Sequence, residues 1–326
     1  MGVSYTRRSL LLLTAAGLLA AQGVASAAEP AGIQAASGCR AVALPAPAGS
    51  LTSVNGGDSS GTYLVGSVSD GSRTAGALWR HGRFAEIDAS SVTGVQVDYH
   101  DVNRSGVVVG ERMTDYSTFH TDAFTWRAGK FTFLPPLRAG DYTDALGINA
   151  RGDVVGNSAG TPVVWPARGG VRALPGDGRA TGIDEDGTVV GYLAPYPPGT
   201  PYVWPAKGKP HALPVPAGSD GGDAVAIQHG MVAGNVYDPA TGSTAPTLWN
   251  LRTGGVRLHT NAPGGALSVN RKGTIGTVGA IVHRNGRVSL LGDLDRVSVL
   301  TDSGVAAGTV TDSPFGPGQA VRWFGC

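Results

Sequence analysis

The chain has 326 residues, 15% of them charged, and a formal net charge of +1. A near-neutral chain with no basic run excludes nucleic acid and anionic membranes as main partners. Its 51 glycines recur between Val- and Trp-bearing segments, so they read as turns rather than as disorder.

In chain order, Arg7 and Arg8 precede an apolar run from Leu10 to about Ala21, and Ala25-Ser26-Ala27 supplies small residues for cleavage. Residues 1–27 therefore read as a secretory signal peptide, too short for a spanning helix. Thr6-Arg7-Arg8-Ser9-Leu10-Leu11 also fits a twin-arginine export signal, so both export routes stay open. Loss of this leader takes the formal charge from +1 to −1. No other segment approaches the ~18 apolar residues of a membrane span. The expectation is an exported, soluble chain: a short linker over 28–38, then one domain over 39–326.

Only two cysteines are present, Cys39 and Cys326. In an oxidising compartment they read as a disulfide. Lipid attachment at Cys39, through Ala36-Ser37-Gly38-Cys39, and two unpaired thiols are the alternatives.

From about residue 50 the chain repeats about every 40 residues. The clearest unit runs Ile148-Asn149-Ala150-Arg151-Gly152-Asp153-Val154-Val155-Gly156, then Val163-Val164-Trp165, a Gly turn, and Val171-Arg172-Ala173-Leu174-Pro175. A first strand ends at Asn103, Asn149, Asp184 or Asn270, with Gly106, Gly152, Gly187 or Gly273 three residues on. Asn/Asp-x-x-Gly is turn chemistry: the side chain caps the turn and the glycine takes positive φ. A second strand carries Val-Val-Gly or a looser copy. A third carries Trp79, Trp126, Trp165, Trp204, Trp249 or Trp323, with His283 in that place in unit six. A fourth ends near Leu-Pro.

Four short strands per unit and no helical period predict an all-β fold, a seven-bladed β-propeller of four-stranded antiparallel blades. One blade buries only part of its faces, so blades must stack around an axis. The seventh unit lacks its fourth strand, and Cys39-Arg40-Ala41-Val42-Ala43-Leu44-Pro45 matches it. The N-terminal strand is thus expected to complete the last blade, with Cys39 and Cys326 stapling the break.

Ile-Asn, Gly, Val-Val-Gly, Trp, Gly and a terminal Leu, taken together, resemble the secreted bacterial HAF-type extracellular repeats. Units two to four carry the resemblance best. It implies an exported β-propeller-like repeat protein and brings no catalytic residues with it.

Chain direction puts the variable loops, those between strands two and three and those crossing between blades, on one face. They hold Tyr116, Phe119, His120, Tyr142, Tyr196, Tyr237 and Asp238, with Asp98-Tyr99-His100 read as part of a crossing loop. Aromatic and carboxylate side chains on variable loops suit sugar rings or a protein epitope, and equally an ordinary surface. Asp98, Asp144 and Arg179, and by looser alignment Asp223 and Arg296, lie five residues before the turn Asn/Asp. They are expected at the top of the channel, holding a small polar ligand or paired with each other. The tryptophans sit at one fixed place per repeat and point to packing between blades.

Signals for catalysis are weak. No metal-binding set, nucleophile elbow or phosphate loop is present, and Asp184-Glu185-Asp186-Gly187 lacks the later bidentate Glu of a calcium loop. No cofactor is expected. The sequence favours a secreted, monomeric, non-enzymatic module that binds a surface glycan or cell-wall polymer. A scaffold for another secreted protein is the alternative, and an axial lyase or hydrolase using Asp98, Asp144 and His100 is the third reading.

Overall fold

The computed structural model describes residues 38–195, 197–312 and 318–326. The leader, most of the linker, Tyr196 and the loop 313–317 lie outside the described residues. Among those described, 28 strands form seven four-stranded antiparallel sheets, six of them built from four consecutive strands and the seventh from the last three strands and the first. The first strands are Leu51–Gly57, Gln96–Val102, Thr143–Ile148, Gly178–Ile183, Gly222–Gln228, Ala266–Val269 and Arg296–Leu300. Each packs against the first strand of the next blade, and that of blade seven packs against blade one, so the ring closes. The chain is a seven-bladed β-propeller.

In blade seven the fourth strand is Arg40–Ala43, paired with Gln319–Phe324 through Arg40↔Phe324 and Ala43↔Val321. Cys39 and Cys326 are disulfide-bonded beside this pair, with Cα atoms 4.6 Å apart.

Alternation along the strands sends apolar side chains between the blades. The core accordingly consists of inter-blade layers. One holds Val109 and Ala123 of blade two against Ala145, Ile148, Val163 and Trp165 of blade three. Another closes the ring, with Leu44, Val299 and Ala320 of blade seven against Val54, Leu64 and Trp79 of blade one.

The repeat motif binds blade to blade as well as folding each blade. Asn103 Oδ1 accepts the amides of Ser105 (3.0 Å) and Val107 (3.1 Å), which caps its own turn, while its Nδ2 donates to the Asn149 carbonyl of the next blade at 3.0 Å. Asn149 Nδ2 reaches the Asp184 carbonyl at 3.4 Å, and Asn270 Nδ2 the Thr301 carbonyl at 3.2 Å. Asp184 has no N–H to give. Its carboxylate instead accepts the next blade's His229 and Gly230 amides at 2.9 and 2.7 Å.

The tryptophan and Leu-Pro motifs are two ends of one contact. The indole N–H of Trp79, Trp165, Trp204 and Trp249 donates to the carbonyl of Pro45, Pro135, Pro175 and Pro214 of the preceding blade, at 2.7, 2.7, 3.0 and 2.8 Å. Trp126 and Trp323 follow blades that end in Ile87-Asp88 and Leu291-Gly292. Their buried indole nitrogens have no partner.

Every first strand is bulged at a corresponding place, between Tyr99 and Asp101 or Ala145 and Gly147, for example. The equivalent irregularities fall at 54/56, 180/182, 224/226, 266/268 and, longer by one residue, 296/299. The glycine of Val-Val-Gly lies opposite the bulge. A Cβ on Gly156 or Gly191 would overlap the carbonyl oxygen of Asp144 or Arg179.

Two sequence expectations need correction. Asp98-Tyr99-His100 is not crossing-loop chain. It lies within Gln96–Val102, whose pairing with the long strand Val108–Asp115 extends to Gln96↔Met113, and Tyr99 is core. Tyr237 and Asp238 are likewise not loop residues: they end Met231–Asp238, and pairing with Ser243–Asn250 reaches Asp238↔Ser243.

Candidate functional site

The loop-rich face presents two kinds of predicted residue. The first is aromatic. Tyr116 and Phe119 are 57% and 69% exposed on the tight loop of blade two, and Tyr142 is 45% exposed on the crossing to blade three. Asp115 holds that loop, its carboxylate accepting Ser117 N and Ser117 Oγ at 2.8 and 2.7 Å. Tyr116 Oη donates to the Val95 carbonyl at 3.2 Å, which fixes the ring over the adjacent crossing. His120 opens the following strand, with Nε2 3.5 Å from Asp122 Oδ1. Tyr237 is half-buried. Asp238 is a turn cap, accepting Ala240 N and Thr241 Oγ1 at 2.9 Å each. Tyr196 lies outside the described residues.

The second kind is charged and lies at the starts of the first strands. Arg179 Nη2 of blade four donates to Asp144 Oδ2 of blade three at 2.8 Å. Asp144 Oδ1 and Arg179 Nε are buried without a partner, so an acceptor and a donor are left on paired side chains. Burial pushes the Asp144 carboxyl up to about 6. Arg179 pulls against that rise, and Glu111 adds to it. Asp98 accepts Gln96 Nε2 at 3.0 and 2.8 Å. Asp223 accepts Asn235 N and Nδ2 at 3.1 and 3.0 Å. Arg296 is exposed.

His100, weighed with Asp98 and Asp144 as a catalytic group, has a different partner. Its Nε2 lies 2.9 Å from Glu111 Oε2. Burial works against charge on His100. The Glu111 hydrogen bond and carboxylate, with Asp98 and Asp144 behind, outweigh it and hold the imidazole above its ordinary value. Sequence reasoning missed Glu111. The signal was available: Glu111 directly follows Val-Val-Gly, and its counterparts Asn157, Tyr192 and Asn235 face Asp144, Arg179 and Asp223 across the first strand pair.

The first strands of blades two to four therefore bring the Asp144–Arg179 ion pair and the His100–Glu111 contact to the axis, and the exposed aromatic rings stand on loops of blade two and of the crossing to blade three. Such an arrangement offers ring stacking and charge-assisted hydrogen bonds. Among the described residues, no group of three or more His, Cys, Asp or Glu is placed to hold a metal ion.

No family model matches the chain. No curated protein matches it. Among solved structures, the chain is similar to the crystal structure of the tricorn protease, with a TM-score of 0.30 and 11% identity over 90% of this chain and 29% of that one. The chain thus spans under a third of that protein's length, and a likeness this slight carries no functional argument.

Proposed function

We propose that this propeller is a secreted, monomeric, non-enzymatic module of the HAF-repeat type, recognising a surface glycan or cell-wall polymer through its loop-rich face. The observation that carries the reading is the exposure of Tyr116, Phe119 and Tyr142 on loops of one face of a rigid ring. Solvent-facing aromatic rings supply large contact area at low entropic cost, and rigid scaffolds place variable loops for binding. The unpartnered Asp144 Oδ1 and Arg179 Nε suit hydroxyl groups, which donate and accept together. The disulfide fits an oxidising compartment, and among the described residues no helix is long and apolar enough to cross a membrane.

The test incubates the purified protein with intact cells, cell-wall preparations and a glycan panel. Beside it runs Tyr116→Ala/Phe119→Ala/Tyr142→Ala. Saturable binding that drops at least tenfold in the triple variant, with unchanged melting, supports the reading. No binding to any of these materials moves the function to a protein partner.

The His100–Glu111 contact favours a second reading, an axial lyase or hydrolase. Turnover of a polysaccharide by the protein, lost in His100→Ala, would establish it.

A further inference from the structure

The seven bulges have a consequence at the axis. A bulge adds one residue to a strand without adding a partner, and so re-aims a side chain. Here every inner strand is bulged at the same level, and every bulge residue lines a single axial cavity of about 380 Å³. That volume falls within the roughly 300–1,000 Å³ of small-molecule sites. The cavity extends toward the face opposite the variable loops, where turn residues Asp58, Arg104, Glu185 and Gln228 line it.

The fold dictates the bulges but not the side chains on them, and these are sorted. Going round from blade seven to blade two, the bulge residues are Ser298, Asn55 and His100, all polar. From blade three to blade six they are Leu146, Thr181, Val225 and Leu267. Thr181 belongs with the apolar arc, because its hydroxyl is spent on the Ala224 carbonyl at 2.8 Å. In the polar arc, Asn55 uses Nδ2 on the Tyr99 carbonyl at 2.8 Å and keeps a second amide hydrogen. His100 uses Nε2 on Glu111 and keeps Nδ1.

The charged groups of the cavity wall at this level are already engaged. His100 is matched by Glu111, and Asp101, which also lines the wall, accepts the backbone amides of Val102 and Ile148 at 2.8 and 3.2 Å. A charged ligand would find no counter-ion there. A long aliphatic ligand would leave Asn55, His100 and Ser298 unpaired, at the cost of burying unsatisfied polar groups. A ring with one hydroxyl-bearing edge and one C–H face meets both arcs.

We infer that the axial cavity is a second binding site, for one neutral pyranose entering from the turn face, its hydroxyl edge on Ser298, Asn55 and His100 and its C–H face on Leu146, Val225 and Leu267. This shares the sugar class of the loop-face reading but not its residues, so each site fails or stands alone.

The experiment titrates the purified protein with glucose, galactose and N-acetylglucosamine by saturation-transfer NMR and calorimetry. Leu267→Trp fills the cavity from its apolar arc, and Asn55→Ala removes polar partners without adding bulk. Tyr116→Ala/Phe119→Ala alters only the loop face. Binding of at least one monosaccharide is expected, weakened tenfold or more in both cavity variants and within twofold of wild type in the loop variant. Thermal melting checks that each variant is folded, and Asn55→Ala carries the test if Leu267→Trp is not. No binding of any monosaccharide by the wild-type protein overturns the proposal, as does binding retained in a folded cavity variant. Loss of monosaccharide binding in the loop variant overturns the separation into two sites. Polymer binding, read in the same preparations, reports on the loop face independently.

Discussion

Trp165 and Trp126 occupy the same place in neighbouring repeats and differ by one hydrogen bond. Trp165 donates to Pro135 at 2.7 Å, whereas the Trp126 indole nitrogen is buried and unpaired. Replacing either with Phe loses some packing, but only Trp165→Phe also breaks a made bond, worth about 0.5–1.5 kcal/mol net. A buried polar group left unsatisfied costs about 1–3 kcal/mol. In Trp126→Phe the orphan donor disappears instead. Denaturant unfolding is expected to place Trp165→Phe about 1–2 kcal/mol below Trp126→Phe. Equal losses would mean the indole–proline bond contributes nothing net. Both motifs were legible in the sequence as separate marks, tryptophan on strand three and Leu-Pro after strand four. Their connection was not, because it crosses from one repeat to the next and single-repeat patterns carry no inter-blade geometry.

The first strands concentrate the titrating groups. Burial pushes the Asp101 carboxyl up to about 7, against the pull of the backbone amides of Val102, Ile148 and Gly57, and Asp144 up to about 6. Unfolded, each carboxyl titrates near 3.9. Between about pH 4 and 7 these two carboxyls therefore hold more protons in the folded chain than in the unfolded one, and their contribution to stability falls as pH rises through this window. For Asp101 the loss is on the order of 3–4 kcal/mol, at 1.36 kcal/mol per tenfold change in proton affinity. Asp101→Asn keeps an acceptor oxygen and cannot ionise. Unfolding free energies measured from pH 4.5 to 7.5 should decline less steeply in this variant than in wild type. Parallel curves would show that Asp101 ionises freely in the fold. Much of this strand chemistry was legible by position. Asp98, Asp144 and Arg179 sit at a fixed offset from the turn Asn/Asp, and the Asp144–Arg179 contact follows from adjacent blades. The partners of Asp98 and His100 were not legible. A bulge between Tyr99 and Asp101 turns His100 out of simple alternation, and Glu111 comes from the neighbouring strand. Bulges leave no strong mark in composition, so the ring of seven inward side chains also escaped the sequence reading.

At the scale of the whole molecule, closure was the most legible feature, because the seventh repeat lacks a fourth strand that residues 39–45 supply. Closure also concentrates risk in one blade. Blades one to six each join strands three and four by a short covalent turn, but in blade seven Gln319–Phe324 and Arg40–Ala43 meet through backbone pairing and the Cys39–Cys326 bond, 287 residues apart in sequence. For a loop of that length the chain-entropy account gives about 6 kcal/mol of stabilisation, an upper figure. Cys39→Ser/Cys326→Ser is expected to lose several kcal/mol in denaturant unfolding, and reduction of the wild type should reproduce that loss. The local effect separates this from a general weakening. Without the bond, Arg40–Ala43 retains one neighbouring strand within its sheet and opens sub-globally, so amide exchange should rise in 40–43 and 319–324 while 143–165 of blade three stays protected. Leu44, Val299 and Ala320 pack with Val54 and Trp79 across the same junction, and Trp79 donates to the Pro45 carbonyl at 2.7 Å. These contacts should hold the blade-seven–blade-one layer in the reduced protein. If exchange instead rose equally in all seven blades, the bond would act only on the unfolded chain, and the junction would owe its order to packing alone.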